Sequence, residues 1–206
     1  MPLSVAPELT LYFCRHGETE ANVEHRFQGR TIDTPLTDKG RQQASAIASN
    51  LKRCEPGPER LRYVSSPLPR ARTTMELIRL SLDLDPKDYA LDDRLLEIDL
   101  GAWDGMTEPE LRAKFPQEYE TRTNDKWNAR VPGGGENYAD VARRAESWVA
   151  ELQADTFAVS HGAFTRILRG LFAGLGWKQM SDLDEKQGVL FRVRGSTVER
   201  FDPPDA

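Results

Sequence analysis

Twice in this chain an apolar, strand-like run ends in a His-Gly pair. The first is Leu11-Tyr12-Phe13-Cys14-Arg15-His16-Gly17-Glu18-Thr19, and the second, about 145 residues on, is Thr156-Phe157-Ala158-Val159-Ser160-His161-Gly162. The chain holds only three histidines, so most of its imidazoles stand at one kind of junction. A structural histidine has no reason to recur in that form. A site assembled at the carboxyl ends of neighbouring strands does, and such sites belong to α/β sheets.

The rest of the pattern agrees with that class. Leu9 to Arg15, Leu61 to Ser65 and Thr156 to Ser160 read as buried strands, each leading toward a loop or a helix. Thr37 is a candidate N-cap for a helix carrying Arg41, Ala44, Ile47, Ala48 and Leu51, stopped at Cys54-Glu55-Pro56-Gly57-Pro58. A second helix begins near Pro69 with Ala71, Met75, Leu77 and Ile78. A short one spans Thr107 to Phe115, and a polar linker is expected from there through Trp127. Pro132-Gly133-Gly134-Gly135 interrupts regular structure. Tyr138 to Leu152 places Val141, Ala145, Trp148, Val149 and Leu152 on one helical face, with Glu136 or Asn137 at its start. A helix over Ala163 to Ala173 and a hairpin of Val189 to Val193 with Thr197 to Phe201 close the chain. Alternating strands and helices predict a mostly parallel central sheet covered on both faces, a three-layer α/β/α arrangement, read as one domain over residues 1–206. The Glu18 to Thr34 stretch is a long loop or short irregular helix of the kind that carries function. Asp182 to Glu185 reads as a solvated face.

Composition narrows the function. A formal net charge of −5 and a pI near 5.4 argue against a nucleic-acid partner, which calls for a basic face. No apolar run approaches the roughly 20 residues that span a bilayer, and mean hydropathy is −0.61, so no membrane association is expected. The first residues lack a basic segment followed by an apolar stretch, which points to the cytoplasm. Cys14 and Cys54 read as free thiols. His16, His25 and His161 lack ligand spacing, so no metal is expected.

The two His-Gly junctions belong to an ordered series. It comprises Arg15-His16-Gly17-Glu18-Thr19 with Asn22, then Ser65-Ser66-Pro67-Leu68-Pro69-Arg70-Ala71, then Leu96-Glu97, then Gly133-Gly134-Gly135-Glu136, then Ser160-His161-Gly162. The series resembles the histidine phosphatase superfamily, the phosphoglycerate mutase-like proteins, from Leu11 to about Arg169. The resemblance implies a phosphohistidine intermediate on His16, with Arg15, Arg70, His161 and Asn22 around the phosphoryl group. Glu97 matches the family's acid and base, and Gln28-Gly29 falls where members line the substrate pocket. The chemistry of the residues agrees. A neutral imidazole is nucleophilic near pH 7, and arginine offers a planar fork to phosphoryl oxygens. One carboxyl group can protonate a leaving group and then activate water. Gly17, Thr19, Asn22, Gln28, Gly29 and Gly162 form the expected substrate-binding set, the glycines letting backbone approach the ligand. Glu18 and Asp99 compete with Glu97 for the acid's role, and Arg72 competes with Arg70. Arg26, Arg30, Trp103 and Trp127 are candidates for substrate contact or plain packing.

The expected activity is metal- and cofactor-independent hydrolysis of a small-molecule phosphate ester. A phosphoglycerate mutase using 2,3-bisphosphoglycerate is the alternative. Mutases of the family place a basic residue directly after the acid and carry a longer, arginine-containing insertion before Gly-Gly-Glu. Here Ile98 follows Glu97, and Arg112, Lys114, Arg122, Lys126 and Arg130 are scattered through a short stretch. A third reading, an inactive member used as a binding module, requires loss of a catalytic residue, and none is missing. The strand Thr197 to Phe201 offers a sheet edge for a homodimer.

Overall fold

The computed structural model describes residues 2–203. In chain order the strands are β1 (Thr10–Arg15), β2 (Arg62–Ser65), β3 (Ala90–Leu91), β4 (Thr156–Ser160), β5 (Leu190–Arg194) and β6 (Thr197–Phe201). The α-helices are α1 (Glu20–Val23), α2 (Asp38–Cys54), α3 (Pro69–Ser81), α4 (Glu108–Lys114), α5 (Pro116–Asn124), α6 (Tyr138–Ala150), α7 (Gly162–Phe172) and α8 (Trp177–Asp182). One six-stranded sheet runs in the order β3-β2-β4-β1-β5-β6. Its β3-β2-β4-β1 half is parallel, and β5 and β6 are antiparallel to their neighbours.

Strand periodicity sorts the core into two layers. Leu11 and Phe13 of β1, Val64, Ala158, Phe191 and Val193 pack with α6 and α7. Tyr12 and Cys14, the residues between them on β1, join Tyr63, Phe157, Val159 and Leu190 against α2 and α3. Both faces are therefore covered, as the unbroken apolar reading of these strands requires. Helix starts obey local chemistry. Thr37 Oγ1 accepts from Gly40 N at 3.0 Å, Pro69 occupies the first turn of α3, and Asn137 with Asp140 forms a reciprocal cap on α6.

Four features depart from expectation. The linker before Trp127 contains α5, because Phe115 and Tyr119 pack on Trp103 and tertiary contact outweighs weak local preference. The two-residue β3 and the helix α8 are too short to show periodicity. The segment 182–185 is not a plain solvated face. Asp184 pairs with Arg169 and Arg200, and Glu185 turns inward.

The pairing of β1 with β4 matters most for function. Parallel register sets Arg15 opposite Ser160, and His16 N donates to Ser160 O at 2.9 Å. The next residue of each strand is a histidine, so the register alone brings the two imidazoles together.

Candidate active site

His16 and His161 are buried, with ring centroids 5.1 Å apart and planes tilted by 60°. The His16 Nδ1–H donates to Gly17 O at 2.8 Å, which leaves Nε2 with the lone pair. Arg70 Nε stands 3.3 Å from that Nε2 and donates to it. Burial first, then the charges of Arg70 and Arg15, hold His16 well below its ordinary pKa, and the Gly17 carbonyl does not offset them. The imidazole is therefore neutral at pH 7. His161 is likewise held well below its ordinary value by burial, then by Arg70 and His16. Its Nε2 lies 2.7 Å from Ser66 Oγ, and its Nδ1 is buried without a protein partner.

The two arginines are oriented differently. Arg70, the second residue of α3, is fully buried. Its Nη1 donates to Asp33 Oδ1 at 2.6 Å and its Nη2 to Gly29 O at 2.7 Å. The fork expected to face a phosphoryl group is thus engaged internally, and only the Nε edge looks toward His16. Burial weakens this guanidinium's hold on its proton, and Asp33 acts against that. Arg15 Nη1 donates to Glu185 O at 2.7 Å, while its Nε is buried without a partner.

Glu97 is buried. Its Oε1 accepts from Ile98 N at 2.9 Å and its Oε2 from Ala163 N, in the first turn of α7, at 3.3 Å. Burial, then the nearby Glu185, raises its pKa above the usual carboxylate range, outweighing the backbone donor and the charges of Arg70 and Arg15. The competing carboxylates are committed elsewhere. Glu18 pairs with Lys39 and is held low by it, and Asp99 Oδ1 accepts from Gly101 N at 2.8 Å.

A cavity of about 340 Å³ opens on this cluster. Arg15, His16 and Glu97, the members of this cluster that line it, mark its inner end, and Asn22, Gln28 and Trp103 line it as well. Arg122, Lys126, Tyr138, Arg166 and Glu185 line the rest of its wall, and Arg15, Asn22, Arg26 and Phe27 are shared with a neighbouring groove that His25 also lines. Lys126, burdened by burial and then by Arg166, is held below the ordinary lysine value. Sequence reasoning left Arg122 and Lys126 scattered and did not reach Tyr138, Arg166 or Glu185. The turn that gathers Arg122 and Lys126 depends on α5, the helix it missed. The one available signal was Arg166, one turn after Gly162 in a helix leaving a histidine junction. Of the other cations before the Gly run, Arg112 pairs with Glu108 and Arg130 with Asp140.

Several expected ligand contacts are structural. A side chain at Gly17 would meet Gly40 O at 2.3 Å, so this glycine admits helix α2 rather than a ligand. Thr19 caps α1 and donates to Gln28 Oε1 at 2.9 Å. Gly29 lends its carbonyl to Arg70. Gly162 lies beneath the Glu185 carboxylate, whose Oε2 is 2.7 Å from where its Cβ would stand. Trp103 lines the cavity and packs against the tilted rings of Phe115 and Tyr119. Trp127 packs at the margin of the core, and Arg72 is exposed and bonds Tyr89. Arg30 lies behind Glu97, its Nε donating to Glu97 O at 2.7 Å.

The model of the histidine phosphatase superfamily, branch 1, matches residues 11–196. The chain is 37% identical over 209 aligned positions to a glucosyl-3-phosphoglycerate phosphatase of Mycolicibacterium vanbaalenii, covering 94% of this chain and 87% of that protein. It is 34% identical over 182 positions to 6-phosphofructo-2-kinase/fructose-2,6-bisphosphatase 3 of Homo sapiens, covering 87% of this chain and 32% of that one. The chain thus spans about a third of the length of such relatives. Among solved structures, a mycobacterial glucosyl-3-phosphoglycerate phosphatase complexed with VO3 superposes with a TM-score of 0.77 at 27% identity, covering 95% of this chain and 100% of that one. The α-ribazole phosphatase of Shigella flexneri gives 0.76 at 26%, with 89% of each chain covered.

Proposed function

The chain belongs to the histidine phosphatase superfamily, branch 1, and on that premise we propose that it hydrolyses small phosphate monoesters that carry a second anionic group. The observation that carries the catalytic half is the tautomer of His16. With Nδ1–H held by Gly17 O, the Nε2 lone pair faces the arginines and attacks phosphorus, and the ester P–O bond breaks. The phosphoryl oxygens take donors from Arg15, Asn22 and the Nε edge of Arg70, which leaves the imidazole for the incoming group. His161 completes the set. Its Nε2 is bonded to Ser66 Oγ, which leaves Nδ1 as the ring atom that meets a phosphoryl oxygen, donating to it in the tautomer with hydrogen there.

Glu97, whose hold on its proton burial strengthens, gives that proton to the departing alkoxide. The resulting carboxylate takes a proton from water, whose oxygen attacks the phosphohistidine and frees Nε2 and inorganic phosphate. Each step balances with these side chains alone, so the scheme calls for no metal ion or organic cofactor. Ile98, the apolar residue after Glu97, lines the cavity where mutases of the family carry a cation, which favours water over a second hydroxyl as acceptor.

The substrate half rests on Arg122, Lys126 and Arg166. Three cations on one wall of a cavity suit a carboxylate or second phosphate on the ester's alcohol portion. The VO3 complex of the related phosphatase agrees with an oxyanion as ligand. His16→Ala is expected to lower turnover of p-nitrophenyl phosphate at least about a thousandfold and to abolish acid-labile phosphoprotein in a rapid quench. Retained turnover would overturn the mechanism. Wild type given 3-phosphoglycerate with 2,3-bisphosphoglycerate should release free phosphate, and isomerisation without phosphate release would replace hydrolysis with mutase activity.

A further inference from the structure

Among the described residues two carboxylates line the cavity, Glu97 and Glu185, and the chemistry above uses one. Glu185 is aimed by a segment anchored on both sides. Before it, Asp184 is gripped by Arg169 and Arg200. After it, Gln187 Nε2 donates to Asn22 Oδ1 at 2.9 Å. Glu185 Oε1 lies 3.1 Å from Arg166 Nη1. Its Oε2 closes over Gly162, and Arg15 Nε lies 3.3 Å from the same Cβ position. That Arg15 Nε and the Arg166 Nε are both buried without a hydrogen-bond partner among the described residues. The carboxylate therefore stands between the phosphoryl-binding arginine and a cation of the outer wall, where an anionic substrate must pass.

We propose that Glu185 is a resident counter-anion of this site, a specificity-determining residue that neutralises Arg166 and screens Arg15 until an anionic ligand takes its place. The proposal rests on the phosphatase reading for the identity of that ligand, a phosphate ester. A substrate with a second anionic group displaces the carboxylate and recovers Arg166 as its own partner. An ester without one leaves Glu185 in position and meets its charge beside Arg15. Holding a fixed carboxylate against a cationic wall costs affinity for every anion, and it costs least for the ligand that can replace it. It also keeps the unliganded wall from gathering arbitrary anions. Arg15 bonds the main-chain oxygen of Glu185, so that contact survives side-chain substitution and the charge can be tested by itself.

The test is titration calorimetry of the full chain with inorganic phosphate, for wild type, Glu185→Gln and Glu185→Asp. Glu185→Gln keeps the shape and removes the charge, so phosphate should bind about five- to tenfold more tightly. Glu185→Asp keeps the charge one methylene farther back and should fall between the two. In parallel, Glu185→Gln should lower KM for p-nitrophenyl phosphate more than for 3-phosphoglycerate, because the ester without a second anionic group is the one that meets the resident charge. Equal or weaker phosphate binding by Glu185→Gln, or a gain in Glu185→Asp as large as in Glu185→Gln, overturns the proposal. If that happens while wild type still hydrolyses p-nitrophenyl phosphate through His16, the phosphatase reading stands. Absence of phosphate binding in all three proteins, together with no hydrolysis of p-nitrophenyl phosphate by wild type, overturns both.

Discussion

The inner end of the cavity and its outer wall follow opposite electrostatic plans. At the inner end, two imidazoles are buried and neutral, and the carboxyl group beside them keeps its proton above the usual range. The outer wall is made of charges: Arg122, Lys126 and Arg166, with Glu185 set among them. Nucleophilic attack and proton transfer need groups that hold or release protons near neutrality, and desolvation supplies that shift. Recognition of an anion needs cations, and the wall groups three of them although Arg122 is buried and burial weakens the hold of Arg122 and Lys126 on their protons. The two histidines stand at strand ends, where the sheet fixes backbone and burial together, and Glu97 lies in the loop after β3. The outer groups come from α5, the turn after it, α7 and the segment after α8.

Glu97 offers the strongest way to break this division, because it lies beside both. If it is an acid held neutral by the inner end, Glu97→Gln should lower kcat about 100- to 1000-fold for alkyl phosphates and far less for p-nitrophenyl phosphate, whose leaving group needs little protonation. The pH dependence carries the sign. With the Glu97 pKa raised, the proton needed for the first step is lost as pH rises through that value, giving an alkaline limb above the normal carboxylate range. With the His16 pKa lowered, the lone pair persists as pH falls through 6.5, the ordinary histidine value, and disappears only further down. The alkaline limb should vanish in Glu97→Gln while the acid limb stays. Retention of both limbs would move Glu97 out of the acid's role and into the electrostatics of the wall.

The wall itself gives the next effect. Removing Lys126 or Arg122 with alanine should raise KM for 3-phosphoglycerate about 10- to 100-fold, and change p-nitrophenyl phosphate kinetics by less than about threefold. Equal losses on both substrates would mean that these cations serve the phosphoryl group, and the inner and outer regions would merge into one.

The same contrast governs what the sequence could disclose. His16 and His161 were legible because a strand's alternation and a following glycine are local signals, and parallel register then aligns the residues after Arg15 and Ser160. Glu97 has no such pattern. It was placed by resemblance, and its environment, Ile98 N on one oxygen and Ala163 N on the other, joins residues far apart in sequence. The role of Arg70 was legible only in part, because its partners Asp33 and Gly29 lie in the irregular loop 24–36. Glu185 was misread. A run of Asp and Glu reads as solvated, and only the pairing of Asp184 with Arg169 and Arg200 turns the next residue inward.

The smallest expected effect tests how firmly the inner end is held, and it concerns the glycine-rich turn. Gly101 has φ +44° and Gly133 φ +81°, and side chains there would meet Pro132 O at 2.3 Å and Ala102 N at 2.9 Å. These glycines let residues 132–135 lie directly on residues 99–102, which delivers Glu136 behind Glu97. One oxygen of Glu136 then accepts from Arg30 Nη2 at 2.8 Å and from Asp99 N at 3.0 Å. Arg30 Nε in turn holds Glu97 O, and Arg144 also pairs with Glu136. The backbone that leads away from Glu97 therefore hangs on a single carboxylate. Glu136→Gln should weaken this clasp without emptying it, costing roughly 1–3 kcal/mol of stability for the lost charge-assisted bonds. If the clasp aims the acid, kcat should fall about three- to tenfold for alkyl phosphates and hardly at all for p-nitrophenyl phosphate. Equal loss on the two esters would make it a support of the fold alone, and would assign the placing of Glu97 to Ile98 N and the first turn of α7.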